Sequence, residues 1–218
     1  MNPRVSHQKT AAMTLLEVLV VIAVLVFLAA MLLPMLARNK PQGRSMCVNT
    51  IRQVGLSYRI WADDHNGKFP MQVSVADGGT MELTADGKNP WLNFLVMSNL
   101  LSTPKNLWCP ADKGDVLATN WTSGFSAKNV SYFVGLDANT NHPQMFLSGD
   151  DNFAVGGVPV KSGLLEFSTN APIVWTAKRH VNSGNIDLAD GSVASVTDSG
   201  LINLLHQTGV ATNRLAIP

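Results

Sequence analysis

The chain has 218 residues and a formal net charge of +1, from 16 Lys and Arg against 15 Asp and Glu. That size suits one domain with an attachment, and the near-neutral balance excludes a strongly basic nucleic-acid binder. The charges are unevenly placed: residues 1–62 hold seven basic groups and one acidic, residues 63–218 nine basic and fourteen acidic.

Twenty residues, VLVVIAVLVFLAAMLLPMLA, run from Val18 to Ala37 without a charge. At about 1.5 Å per residue they reach roughly 30 Å, the hydrocarbon thickness of a bilayer. The run predicts a membrane anchor and argues against a cytosolic single-domain enzyme. Two other readings compete. A buried core helix seldom lacks a polar face over such a length. A secretory signal peptide would use Arg4 and Lys9 as its basic leader, but the run is longer than a usual signal core. It also passes straight into Arg38, Asn39 and Lys40 without a small-x-small cleavage site. Arg38, Lys40 and Arg44 crowd the far side, so charge alone leaves the orientation open. Glu17, at the edge of the run, calls for a partner or a headgroup contact, because an ionised carboxylate beside hydrocarbon is costly.

Pro41 and Gly43 weaken the helical pattern around residues 38–43. Beyond them Cys47, Ile51, Val54, Tyr58 and Trp61 recur at spacings of 4, 3, 4 and 3 and share one helix face, which is expected to pack on a globular domain. Asn66 and Gly67 signal the stop, and Phe69-Pro70 begins extended chain. Asn89 as cap and Pro90 at the first position open a second helix, WLNFLVMSNLL. Its Trp91, Leu92, Leu95, Val96 and Leu100 are expected to cover a sheet face. Short strands are predicted at 130–136, 172–177, 185–189 and 192–196, the last two joined through Asp190-Gly191. Residues 137–163 read as a long loop with a short hairpin, and GLINLLHQ, capped by Asp198 or Ser199, as a terminal helix. A long helix followed by strands at this density gives an α+β class.

A short basic leader, a small residue, the string MTLLE and an unbroken apolar helix resemble the signal of type IV prepilins and type II secretion pseudopilins. The resemblance is strong over residues 8–70 and weaker to the end. It implies that a prepilin peptidase cuts between Ala12 and Met13 and methylates the Met13 amine. Ala12 and Met13 depart from the Gly and Phe that the family prefers. Glu17 becomes the fifth mature residue, the family's assembly glutamate, and Pro34 falls where pilin helices often kink. Once the leader is removed, Glu17 of an incoming copy can pair with the Met13 amine of the last copy added, and so fix the register between apolar helices.

The implied organisation is a leader at 1–12, a transmembrane and polymerisation helix at 13–37, a periplasmic continuation of the helix at 38–62 and a globular pilin-like α+β domain at 63–218. In that fold one long helix packs on a small antiparallel sheet. The implied function is structural, not enzymatic: a subunit, of the major pseudopilin type, of a secretion pseudopilus that helps drive protein export. A type IV pilus subunit for adhesion or DNA uptake is the near alternative. Implied partners are further copies and other pseudopilins, prepilin peptidase, the inner-membrane platform, the outer-membrane secretin and, before assembly, membrane lipid. The implied location is single-pass in the bacterial inner membrane with the C-terminal domain periplasmic, the filament lying in the periplasm or at the cell surface. No aromatic-basic stripe recommends nucleic acid as a partner.

The two cysteines, Cys47 and Cys109, are expected to form a disulfide if the residues after 37 are exported; two buried free thiols are the alternative. A zinc site is disfavoured because no histidine lies near either cysteine in sequence. No cofactor is required by this reading. Major pseudopilins commonly bind Ca2+ in a C-terminal loop, which makes Asp150, Asp151, Asp187, Asp190 and Asp198 candidate ligands, the adjacent pair first; solvated turn carboxylates are the plainer alternative. His180 with Asp187 or Asp190 could be drawn as half of a hydrolytic triad in a membrane-anchored periplasmic hydrolase, but no Ser stands in a nucleophile elbow. The stretch RHVNSGNIDLADGSV resembles a C-terminal signature of bacterial prepilin-like proteins, a His followed ten residues later by Asp-Gly, which implies a fold-defining hairpin.

Overall fold

The computed structural model describes residues 15–37, 42–122 and 124–218. The peptidase site Ala12-Met13 lies outside them. The chain divides into two compact units, residues 1–42 and 43–218. In the first, helix α1 spans Leu15–Ala37 with Glu17 in its first turn. Because its residues are apolar on every side, it has no polar face to turn outward, and every described side chain from Leu15 to Ala29 is exposed.

The expected single long transmembrane helix is corrected here. The helical segment is two helices, α1 and α2 (Gln42–Asp64), and no helix among the described residues is long and apolar enough to cross a membrane. Between the Glu17 carboxylate and Pro34, which removes an amide donor, the uninterrupted apolar stretch is Val18 to Leu33. At 1.5 Å per residue that is about 24 Å, short of the roughly 30 Å of a hydrocarbon core. The single-pass inner-membrane location derived from the run is withdrawn with it.

The second unit starts with α2, whose sequence stripe is its buried face. Cys47, Ile51, Val54, Tyr58 and Trp61 are all buried, whereas Met46, Leu56 and Ile60 point outward. The helix ends where Ala62 O accepts from the amides of His65 and Gly67, with Asn66 and Gly67 both at positive φ. Short helices follow at α3 (Met81–Thr84), α4 (Trp91–Val96) and α5 (Ser98–Leu101). The expected face of the second helix is also corrected: Asn93, Phe94, Met97 and Leu101 are buried, while Val96 and Leu100 are exposed. The chain breaks helix at Met97, and that re-phases the two turns relative to one continuous helix.

Nine strands among the described residues complete the unit: β1 (Tyr132–Gly135), β2 (Phe146–Asp150), β3 (Phe153–Val155), β4 (Val158–Pro159), β5 (Gly163–Ser168), β6 (Ile173–Trp175), β7 (Gly184–Leu188), β8 (Val193–Val196) and β9 (Thr212–Ile217), with α6 (Asp198–Gln207) before the last. They form a six-stranded sheet, β5-β9-β1-β2-β7-β8, and a three-stranded sheet, β4-β3-β6, instead of one small sheet. All the recorded pairings are antiparallel. The expected 137–163 loop therefore holds two core strands, β2 and β3, besides the β3–β4 hairpin.

Strand alternation divides the core. Val134, Leu147 and Ala216 join Val54, Tyr58 and Phe94 in one cluster under α2 and α4. Phe133, Phe146 and Leu215 join Phe153, Trp175, Leu201 and Leu205 in another, so the larger sheet lies between α2 on one face and the small sheet with α6 on the other. α2 approaches the sheet closely at Gly55, where a Cβ would stand 2.4 Å from Asp187 Oδ1 of β7. Only glycine admits that approach.

Candidate functional site

The chemistry of the second unit concentrates where α2, the 107–115 loop, the end of β2 and the turn before β7 meet. Cys47, on the buried stripe of α2, is joined to Cys109 by a disulfide with Cα atoms 5.4 Å apart. Cys109 follows a 3-10 turn at Pro104–Leu107, and its amide donates to Ser131 Oγ at 3.1 Å. Both cysteines are fully buried.

His180 reaches this disulfide from a strained turn. His180, Val181 and Asn182 all have φ near +50°, a region unfavourable to a β-branched residue such as Val181. The turn is tied down by Asn152, whose Nδ2 donates to the carbonyls of Thr176, Arg179 and Ser183 at 3.2–3.4 Å. Ser183 Oγ donates to His180 O at 2.5 Å. The result places His180 Nε2 3.3 Å from Cys109 Sγ and 3.6 Å from Asp150 Oδ2.

Asp150 ends β2 and is wholly buried. The backbone and side-chain amides of Asn185 each donate to its Oδ2 at 2.8 Å, while Oδ1 has no hydrogen-bond partner. Burial pushes its pKa up to about 7 against the pull of the Asn185 donors and Arg179. Tyr132, raised first by burial and then by Asp150, donates to or accepts from Thr50 Oγ1 at 2.8 Å.

One residue before His180, Arg179 gathers the neighbouring carboxylates. Its Nη2 pairs with Asp112, with Asp151 at 2.8 Å and more distantly with Asp115 at 3.8 Å; its Nη1 donates to Ser131 O at 2.6 Å. Burial, then Asp112, lift Asp115 to about 7, and burial lifts Asp151 to about 6. Burial also opposes ionisation of Asp112, yet a hydrogen bond from Asp115 and the Arg179 charge outweigh it and lower its pKa. Asp112 and Asp115 thus behave as a carboxylate and a carboxylic acid sharing one cation. Beside them opens a cavity of about 520 Å³, lined among others by Asp115, Asp151, Lys178 and Arg179.

Of the aspartates singled out in the sequence, only Asp150 and Asp151 reach this cluster. Asp187 is buried under α2 without a hydrogen-bond partner on either oxygen, and its pKa is raised well above the ordinary value, chiefly by burial. Asp190 caps its own turn, accepting from Ser192 N at 2.8 Å, and Asp198 accepts from Trp175 N at 2.6 Å. The carboxylate His180 meets is Asp150, where the sequence suggested Asp187 or Asp190. Sequence reasoning passed over Asp112, Asp115 and Arg179. A faint signal existed in the WCPADKGD string, which sets two acids three residues apart just after a cysteine.

In comparisons with known proteins, no family model, no curated relative and no solved structure matches this chain.

Proposed function

We propose that the chain is a structural subunit of a pilin-like filament of the pseudopilus kind, assembling through α1. The observation that carries this reading is the continuous apolar exposure of α1 from Val18 to Ala29. Such a surface is stable in water only when covered, and an apolar helix without a polar face is best covered by several like helices at once. Glu17 then supplies a register mark, its carboxylate meeting the Met13 amine of a neighbouring copy after prepilin peptidase has cut behind Ala12. The second unit, closed by a disulfide, serves as the outward-facing body. This role needs no catalysis.

The test uses a photo-crosslinking residue at Leu19 or Phe27 in cells holding no other copy of the gene. The expected result is a ladder of multimers that weakens sharply with Glu17→Gln, while the monomer yield is kept. N-terminal mass spectrometry should find the chain starting at a methylated Met13. Absence of multimers at both positions, or a Glu17→Gln ladder equal to wild type, overturns the assembly role.

A further inference from the structure

We propose that Cys47, Cys109, His180 and Asp150 form a tetrahedral site for Zn2+ once the disulfide is reduced, so that one pocket is closed either by a sulfur–sulfur bond or by a metal ion. The inference stands apart from the filament reading and does not depend on it.

The geometry is close to what zinc requires. A ligand atom from each of Cys47, Cys109 and His180 lies within 4.8 Å of the others. Zinc bonds of about 2.3 Å to sulfur and 2.0–2.1 Å to nitrogen or oxygen place tetrahedral ligand atoms roughly 3.4–3.8 Å apart. His180 Nε2 already stands 3.3 Å from Cys109 Sγ and 3.6 Å from Asp150 Oδ2. The two sulfurs must separate to about 3.8 Å, and the Asp150 carboxylate, which stands outside the three-residue group, must move in to complete the tetrahedron.

The chemistry of the donors is equally specific. Two thiolates and an imidazole select a borderline-soft ion such as Zn2+ over Ca2+. Asp150 supplies the fourth ligand through Oδ1, which is buried with no hydrogen-bond partner, while Oδ2 keeps the two Asn185 amides. The outer groups that such a site needs are also present. Asn185 orients the Asp150 carboxylate through two amide donors, and Asn152 fixes the turn that carries His180.

The exchange balances as follows. A dithiol reductant transfers two electrons and two protons to the disulfide, becoming a disulfide itself and leaving two Cys thiols. Zn2+ then displaces both thiol protons to solvent and binds Cys47 Sγ, Cys109 Sγ, neutral His180 Nε2 and ionised Asp150. Because both cysteines are buried, the ion enters as the reduced chain folds and not through the closed native state.

Co2+ serves as the spectroscopic probe. The full chain, held in mild detergent, is unfolded, reduced, freed of reductant anaerobically and refolded with one equivalent of Co2+ or Zn2+. The expected result is one ion per chain, a thiolate-to-Co2+ charge-transfer band with the visible bands of tetrahedral Co2+, and a higher melting temperature than the metal-free reduced chain. His180→Ala and Asp150→Asn should each lower affinity by at least about 10-fold, the scale seen even for outer-shell groups. Oxidised chain should show no thiolate band and bind no ion at this site. Where the reduced chain is unfolded without metal, recovery of its circular dichroism on adding Zn2+ supports the site, and failure to recover overturns it. A missing thiolate band, or a His180→Ala variant with wild-type affinity, also overturns it.

Discussion

Helices α1 and α2 are the same length, 23 residues each, and behave in opposite ways. In α2 the apolar side chains fall at spacings of three and four, so one face meets the sheet and the other carries Arg, Gln and Asn. Ile51, Val54 and Tyr58 are wholly buried there. In α1 nearly every position is apolar, and Leu15, Leu19 and Phe27 are exposed. Hydrophobic residues alone do not bury a helix within its own chain. Their placement does, because a face that matches the curvature of one sheet can be covered by it, and a cylinder that is apolar all round cannot.

The disulfide gives the largest expected effect on the α2 side of this contrast. Cys47 and Cys109 are separated by 62 residues, and opening such a loop costs about 4 kcal/mol in the chain-entropy account. Cys47→Ser with Cys109→Ser should lower stability by that order in denaturant melts without added metal; a change under about 1 kcal/mol would show that α2 is held by packing alone. Next comes Ile51→Ala, which empties a fully buried site on the same stripe and should cost about 2–5 kcal/mol. Leu19→Ala in α1 marks the other end, with an effect on the melting of the second unit within about 0.5 kcal/mol. A larger loss would mean that the two helices do not differ as described.

Acid titration separates the regions by another route. Asp115 and Asp150 are raised to about 7 and Asp151 to about 6, and Asp187 is raised well above its ordinary value, all with burial as the first cause. Their folded pKa values exceed the unfolded value, so the folded chain binds more protons than the unfolded chain between about pH 4 and 7. Their contribution is complete below that window and is lost as pH rises through 6 to 7. Asp112, lowered, has the opposite sign, and its contribution fades only below the ordinary carboxylate range. The second unit should melt at least about 2 °C higher at pH 5 than at pH 7.5. Asp115→Asn should flatten that difference. A profile that falls towards pH 5 would overturn the assignment of these buried acids as protonated.

What could be read from the sequence follows from how local each feature is. The α2 stripe and the β7–β8 hairpin at Asp190-Gly191 were legible, because spacing and a turn dipeptide encode them within a few residues. Strand β2, FLSGD, was not: its buried Ser148 and Asp150 find partners only across the fold, in Phe133 O and Asn185. Strands β5 and β9 pair with each other from opposite sides of α6, and nothing local announces the match. The apolar run reads as a bilayer span from its length, with Glu17 as a boundary residue and Pro34 as a kink, yet those two residues leave only Val18 to Leu33 uninterrupted. The cluster was half legible. Two cysteines and a suspicious pair of aspartates stood out, but His180 lies 71 residues from Cys109, and only the left-handed turn at 180–182 brings them together.

The disulfide has a mechanical side as well. A pull on α1 enters the second unit at the start of α2, and within its first turns meets a covalent link to Cys109. Tension then bypasses the loop between them, so the rest of α2 is shielded from peeling. Fully stretched, the oxidised chain is shorter than the reduced one by about 210 Å, from 62 residues that cannot extend. That crosslink sets how far the second unit can yield under load.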